Sequence, residues 1–139
     1  MKINKVTTHW KGGTLLEADN PNGRTLLMDD SSKMGEGFGP KALMLASLAG
    51  CSGIDIGLLL DKMRLKVDDF RIDTVGELTE EDPKYYHKVT VEYHFYGPEL
   101  QESKIKKAVE LSVEKYCGVM EMFRRFAQLD ISIHYHKKL

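Results

Sequence analysis

The longest apolar run in the chain, Lys41–Asp61, constrains the fold more than any other stretch. Its sequence, KALMLASLAGCSGIDIGLLLD, places apolar residues on every face of a helical wheel rather than on one stripe. A helix with this pattern needs cover on all sides. A single sheet covers only one face, so we expect a second copy of the chain to supply the rest.

The composition of this run favours a protein core over a membrane span. A membrane-crossing helix needs about 20 apolar residues, and Ser47, Ser52, Asp55 and Asp61 interrupt the run. The N-terminal stretch MKINKVTTHWKGG has no apolar centre of the signal-peptide type. The sequence therefore predicts a cytoplasmic protein that does not contact a membrane.

Size and charge bound the class of protein. With 139 residues, the chain is predicted to form a single domain over 1–139. Its 42% apolar and 29% charged residues are typical of a globular domain. A net charge of −1 provides no electrostatic footprint for nucleic acid, so we expect no nucleic-acid partner.

Hydrophobic periodicity predicts an α+β protein with the element order βββ-α-ββ-αα-β. Glycine-containing turn signals divide the first strands into an antiparallel meander. A polar, glycine-rich loop, Asp29–Pro40, leads into the first helix and is a place where binding residues often collect. The predicted strands are Met1–Trp10, Thr14–Ala18, Arg24–Met28, Leu65–Glu80, Tyr86–Tyr96 and Asp130–His136, and the predicted helices are Pro40–Arg64, Glu102–Tyr116 and Val119–Phe126.

The two cysteines are the strongest candidates for chemistry. In a chain without a secretory signal they are expected to be reduced. Cys51 lies in an apolar helix, where a thiol is often inert, and its reactivity would need a nearby cation, hydrogen-bond donor or helix N-terminus. Cys117 precedes Gly118 at an apparent helix break, where free N–H groups favour a thiolate. The alternative for Cys117 is a further buried turn of the second helix.

The two thiols suggest more together than either does alone. One lies on each long helix, and antiparallel packing of these helices would bring the sulfurs together. Two thiols that meet in a reducing compartment indicate a redox pair. A peroxide converts the first thiol to a sulfenic acid, the second thiol condenses with it to a disulfide, and an external dithiol reduces that bond.

The segments around both cysteines resemble a known family. Gly39–Leu43 (GPKAL) with Ala46–Asp55 (ASLAGCSGID) resembles the first cysteine motif of the OsmC/Ohr superfamily. Ala108–Val119 (AVELSVEKYCGV) resembles its second motif. The element order and the spacing between motifs also match, so the resemblance covers nearly the whole chain. It is stronger to the OsmC-like branch than to Ohr proper.

This resemblance implies both an architecture and an activity. The architecture is an intertwined α+β homodimer, in which sheets of antiparallel strands wrap two long central helices and each active site lies at the subunit interface. The activity is thiol-dependent reduction of organic hydroperoxides and, less efficiently, of hydrogen peroxide. Cys51 would be the peroxidatic thiol and Cys117 the resolving thiol. The reductant would be a lipoylated protein or another dithiol, so no bound cofactor is expected.

The first helical turn departs from the pattern of the resembling enzymes. Those enzymes carry a glutamate there, which pairs with an arginine from the N-terminal strands beside the reactive thiol. Lys41 and Ala42 occupy the corresponding positions of this chain. Glu36 is the candidate for a replacement acid, and Arg24 or Lys11 for the cation. Lys41 is a candidate for direct stabilisation of the thiolate, the alternative being a side chain in solvent.

Apolar residues near the two motifs are candidates for a substrate pocket, with core packing as the alternative for each. These candidates are Met34, Phe38, Met120 and Phe123.

The histidines do not show a recognised metal-ligand spacing, so the sequence predicts no metal site. They are His9, His87, His94, His134 and His136, and all of them lie on predicted strands.

Three functions are compatible with these features. The leading hypothesis is a two-cysteine peroxidase for organic hydroperoxides. The second is an OsmC-like protein of the same fold that binds a small molecule and lacks significant peroxidase activity. The third is a purely structural role for both thiols.

Overall fold

The computed structural model describes residues 1–32, 35 and 37–137. The chain forms two compact units, one over Met1–Met44 and one from Leu45 onward. The elements follow the predicted order and confirm the α+β class. The first helix, α1 (Pro40–Lys62), begins in the first unit and continues into the second. That residues 1–139 form one domain stays a prediction.

The first unit contains a three-stranded antiparallel sheet. Its strands are β1 (Thr7–Trp10), β2 (Leu16–Asp19) and β3 (Thr25–Met28), paired in the order β1-β2-β3. Gly12 and Gly13 turn the chain between β1 and β2 with positive φ angles of 103° and 57°. All three strands begin later than predicted. Apolar and β-branched residues also occur before the residues that pair with a neighbouring strand, and the sequence pattern does not separate the two groups.

The second unit contains another three-stranded sheet. Its strands are β4 (Asp69–Leu78), β5 (Tyr86–Tyr96) and β6 (Gln128–His136), in the order β4-β5-β6. The β4–β5 pair is antiparallel, but the β5–β6 pair is parallel. This pair corrects the expectation of purely antiparallel sheets. The chain crosses over through helices between β5 and β6, and such a crossover returns a strand in the same direction.

The predicted second helix is correct at its start and wrong in its last turn. Helix α2 spans Glu102–Leu111, and a π-helical turn follows over Ser112–Tyr116. The N–H of Cys117 donates to the carbonyl oxygen of Ser112 at 2.8 Å, which closes this wider turn. Helix α3 (Gly118–Arg124) begins directly after Cys117. Such single π-helical turns occur frequently at functional sites.

The core of the second unit lies on one face of its sheet. On β5 the alternate residues Val89, Val91, Tyr93 and Phe95 are fully buried, whereas the residues between them face outward. Apolar side chains of the three helices complete the core: Leu48, Ile56, Ile105, Val109, Met120 and Phe123.

Helix α1 packs against this inner face at Gly53, which has no side chain, and through one hydrogen bond. A Cβ built at Gly53 would lie 3.5 Å from Cδ1 of Ile72 on β4, so the helix approaches the strand closely there. The hydroxyl of Thr74 on β4 donates to the carbonyl oxygen of Leu45 at 3.2 Å. These contacts fix the height of α1 above the sheet.

Within one chain, α1 is covered on one side only. Leu48, Ser52 and Ile56 are buried, but Ile54 and Leu58 are each 68% exposed. The helix has the length and hydropathy needed to cross a membrane, a property that core helices of soluble proteins share. The cover that the sequence predicts on its other side is therefore not supplied by the described residues of the same chain.

Replacement of Val91 by alanine should destabilise the fold by about 2–3 kcal/mol, because it removes two fully buried methyl groups and leaves a cavity. The matched control is Val75→Ala on β4, where the side chain is 58% exposed and the cost should stay below about 0.5 kcal/mol. Denaturant-induced unfolding measures both. Equal losses for the two variants would contradict this assignment of the core face.

Candidate active site

The structure places both cysteines in the second unit. Cys51 lies in the middle of α1 and is partly buried, whereas Cys117 is only 4% exposed between the π-helical turn and α3. Cys117 caps α3: its backbone is extended, and its sulfur accepts a hydrogen bond from the N–H of Met120 at 3.2 Å. The predicted helix break at Cys117 is therefore a true helix start.

The two thiols influence each other. Both cysteines are free, and Cys51 is among the groups that raise the pKa of the Cys117 thiol. This influence favours the protonated form of Cys117. Cys117 is buried, whereas Cys51 is partly exposed.

Cys117 does not gain the acidity that its position at a helix start suggests. Burial raises the pKa of its thiol to about 12, and Cys51 and the negative charge of Asp55 act in the same direction. The N–H of Met120 lowers the pKa but does not offset these effects. The expectation of a Cys117 thiolate is therefore wrong for this reduced state, because the loss of hydration outweighs the helix dipole.

A chain of buried hydroxyl groups lies beside the thiols. Ser52 Oγ is 2.7 Å from the Tyr93 hydroxyl and 2.8 Å from Ser112 Oγ. Ser112 Oγ donates to Asp55 Oδ2 at 3.0 Å. Ser52, Tyr93 and Ser112 are all fully buried, and they come from α1, β5 and the π-helical turn. We call these four residues the hydroxyl chain.

The direction of every proton in the hydroxyl chain follows from the Asp55 carboxylate. A hydroxyl group has one proton to donate, and Ser112 gives its proton to Asp55. Ser52 must therefore donate to Ser112, and Tyr93 must donate to Ser52. Burial raises the pKa of Tyr93 to about 12, so its proton stays in place at neutral pH. The hydroxyl chain fastens α1, β5 and the π-helical turn together next to Cys51 and Cys117.

Sequence reasoning missed the hydroxyl chain, because it treated Ser52 only as a polar interruption of the apolar run. The sequence did contain a signal, because Tyr93 and Ser112 are polar residues at positions where the pattern of β5 and α2 predicts buried apolar ones. Tyr93 is one of the inward residues of β5, and Ser112 continues the buried face of α2 that contains Ile105 and Val109.

Two of the supporting residues predicted from sequence, Arg24 and Lys41, belong to the first unit. Arg24 lies just before β3 in the first unit, where its N–H donates to the side chains of Asn20 and Asn22. Lys41 is exposed in the first turn of α1. Glu36 and Met34 lie outside the described residues. The roles proposed for these four residues stay predictions.

The candidate pocket residues divide between the two units. Phe38 pairs with Met28 in the first unit and, with Leu26 and Leu27, lines an open cavity of about 460 Å³. Met120 and Phe123 are fully buried in the core of the second unit, and the backbone of Met120 contacts Cys117. Their role as walls of a substrate pocket stays a prediction.

Comparison with known proteins identifies the family. Residues 33–132 match the family model described as OsmC, OsmC-like protein. The chain belongs to the OsmC-like family. Protein YhfA of Escherichia coli is 30% identical over 116 residues, which cover 84% of this chain and 86% of that protein.

Solved structures support the OsmC-like fold. The crystal structure of a hypothetical protein from Aquifex aeolicus has a TM-score of 0.86 and 29% identity, with 97% of each chain covered. The organic hydroperoxide resistance protein OhrB of Bacillus subtilis has a TM-score of 0.67 and 17% identity, with 95% of this chain and 98% of that chain covered. The second match shows the fold alone. The match to the family model confirms the superfamily assigned from the two cysteine motifs.

The direction of the hydroxyl chain predicts unequal effects for two substitutions. Tyr93→Phe removes the first donor and leaves the other protons paired, so it should cost about 1 kcal/mol. Ser52→Ala removes the middle of the chain and leaves the buried Tyr93 hydroxyl without an acceptor, so it should cost about 1–3 kcal/mol more. Denaturant unfolding at neutral pH measures both, and a costlier Tyr93→Phe would contradict the assigned direction.

Stability should fall at alkaline pH. The pKa values of Cys117 and Tyr93 rise from 9.0 and 10.0 to about 12 on folding. Both groups therefore stabilise the fold fully below about pH 9, and this contribution is lost as the pH rises toward 12. Unfolding free energies measured across this range should fall less steeply in Tyr93→Phe. Tyr116→Phe, at a half-exposed tyrosine, is the control, and equal slopes for wild type and Tyr93→Phe would contradict the prediction.

Proposed function

We propose that this OsmC-like protein is a thiol-dependent peroxidase that reduces organic hydroperoxides and, more weakly, hydrogen peroxide. The observation that carries the proposal is the pair of free thiols in one unit, of which Cys51 acts on the pKa of Cys117. Unequal burial supports the division of roles: partly exposed Cys51 is peroxidatic, and buried Cys117 is resolving. The free cysteines fit the reducing conditions of a cytoplasm.

The proposed reaction balances in three steps. The sulfur of Cys51 attacks the terminal oxygen of the hydroperoxide, the O–O bond breaks, and the alkoxide leaves as an alcohol after it takes up the thiol proton. The product on Cys51 is a sulfenic acid. The sulfur of Cys117 then attacks the sulfur of Cys51, and the displaced hydroxide leaves as water with the Cys117 proton. An external dithiol, such as a lipoylated protein, reduces the resulting disulfide by thiol–disulfide exchange.

The high pKa of Cys117 suits a resolving thiol. A thiol with a pKa of about 12 stays protonated at neutral pH and does not compete with Cys51 for the peroxide. The Cys117 thiol needs to lose its proton only when Cys51 has become a sulfenic acid. The hydroxide displaced from Cys51 then accepts that proton and leaves as water. The hydroxyl chain holds both cysteine-bearing segments in register for this step.

Replacement of Cys51 by serine should reduce dithiol-dependent consumption of tert-butyl hydroperoxide to the uncatalysed rate. Replacement of Cys117 by serine should stop turnover after one equivalent of peroxide, with one oxygen atom added to Cys51 as a sulfenic acid. A peroxide assay and mass spectrometry of the intact chain measure the two outcomes. Wild-type turnover by the Cys51→Ser variant would refute the proposed mechanism.

The exposed side of α1 supports a homodimer. Gly50, Ile54, Gly57 and Leu58 lie on one stripe of the helix, where Ile54 and Leu58 are each 68% exposed. A Cβ built at either glycine would contact nothing within 4 Å, so this stripe is open to a close neighbour. A second copy of the chain would bury these apolar side chains, and we propose that the active sites lie at that interface.

Replacement of Ile54 by glutamate should convert a dimer to a monomer, because it places a charge in the proposed interface. Analytical ultracentrifugation at micromolar concentration measures this change. The control is Val75→Glu on β4, which introduces the same charge at another exposed β-branched residue and should leave the dimer intact. A wild-type protein that sediments as a monomer would refute the proposed dimer.

A second candidate function is a small-molecule-binding protein that uses the same fold without significant peroxidase activity. The charge environment of Cys117 favours it: Asp55 acts on this thiol with a negative charge rather than the positive charge that activates thiols. This candidate predicts that a stoichiometric dose of peroxide leaves both thiols reduced, while an apolar ligand raises the melting temperature. Oxidation of both thiols at that dose would exclude it.

A further inference from the structure

The outer face of the second sheet, opposite the thiols, has a polar cluster of its own. Strand pairing places Asp73 beside Glu92 and His94 beside His134, and Tyr96 lies beside His136. These side chains belong to the outward set of β5 and its neighbours, because Tyr93, between Glu92 and His94, points inward to Ser52. The proposed peroxidase chemistry does not use this cluster.

Three side chains in the cluster bring potential metal ligands together. Carboxylate oxygens of Asp73 and Glu92 and a ring nitrogen of His94 all lie within 4.8 Å of one another. Two carboxylates directly opposite each other on adjacent antiparallel strands repel. The guanidinium of Arg71 compensates one of them, since its Nε donates to both oxygens of Asp73 at 3.2 and 3.1 Å. The cluster keeps a net charge of about −1 when its imidazoles are neutral.

Histidine packing orients the ring of His94 toward the carboxylates. Its Nδ1 lies 3.0 Å from Nε2 of His136, and its Nε2 lies 3.6 Å from Asp73 Oδ2. The ring also stacks on His134 with centroids 4.6 Å apart. Metal-binding histidines commonly use one ring nitrogen for the metal and donate from the other to a neighbouring acceptor. Nδ1 of His94 has such a neighbour, and its Nε2 faces the acids.

We propose that Asp73, Glu92 and His94 bind one divalent transition metal of the zinc class on the outer face of this sheet, with His136 as a positioning residue for His94. One imidazole nitrogen with two carboxylates suits Zn²⁺ and similar borderline ions, whereas Mg²⁺ and Ca²⁺ prefer oxygen ligands alone. Three protein ligands leave a coordination position for water. Sequence spacing does not reveal this site, because strand pairing, not helical or loop spacing, brings Asp73 to Glu92 and His94.

Calorimetric titration of the EDTA-treated full chain with Zn²⁺ tests the proposal. Wild type should bind one equivalent, and His94→Gln and Glu92→Gln should each weaken binding at least about tenfold. The control is His87→Gln on the same strand. The imidazole of His87 lies 2.8 Å from Glu77 and is not part of the cluster, so this substitution should not change the affinity. Far-ultraviolet circular dichroism of each variant confirms that it is folded.

A second titration separates this site from the thiols. With Co²⁺ as the probe, ligation by Asp73, Glu92 and His94 should produce visible d–d bands without a thiolate-to-cobalt charge-transfer band. The Cys51→Ser, Cys117→Ser double variant should bind one equivalent with wild-type affinity. Absence of zinc binding, unchanged affinity in His94→Gln, or loss of binding in the double variant would overturn the proposal.

Discussion

The buried hydroxyl chain from Tyr93 through Ser52 and Ser112 to Asp55 is the interaction on which the rest of the second unit depends. It joins a strand, the central helix and the π-helical turn by hydrogen bonds of 2.7 to 3.0 Å inside an otherwise apolar core. A buried polar group without a partner is costly, so only one register of these segments satisfies all four side chains. That register places the segments that carry Cys51 and Cys117 side by side.

Burial, rather than helix position, sets the acidity of the Cys117 thiol. Cys117 caps a helix, yet its pKa rises to about 12 because desolvation outweighs the capping N–H. The stripe of α1 around Ile54 shows the reverse situation, since its apolar side chains stay exposed within one chain.

Local sequence patterns predicted the helices and strands. Contacts between residues far apart in sequence determine the features that these patterns did not predict. Alternation alone defined Tyr86–Tyr96 with its observed bounds, because one face of β5 is buried throughout. The π-helical turn was missed because helical periodicity does not reveal one extra residue before Cys117. The partners of Ser52 lie 41 and 60 positions away, so its sequence neighbours gave no indication of them. The family motifs supplied the two cysteines as candidates, and the structure places both in the second unit.

Disulfide mapping after a single stoichiometric oxidation tests the central claim most directly. The reduced protein is treated with one equivalent of cumene hydroperoxide, its remaining thiols are blocked, and its peptides are identified by mass spectrometry without reduction. The account predicts loss of both thiols and one intramolecular bond between Cys51 and Cys117. Two free thiols, or a disulfide that joins separate chains, would contradict it.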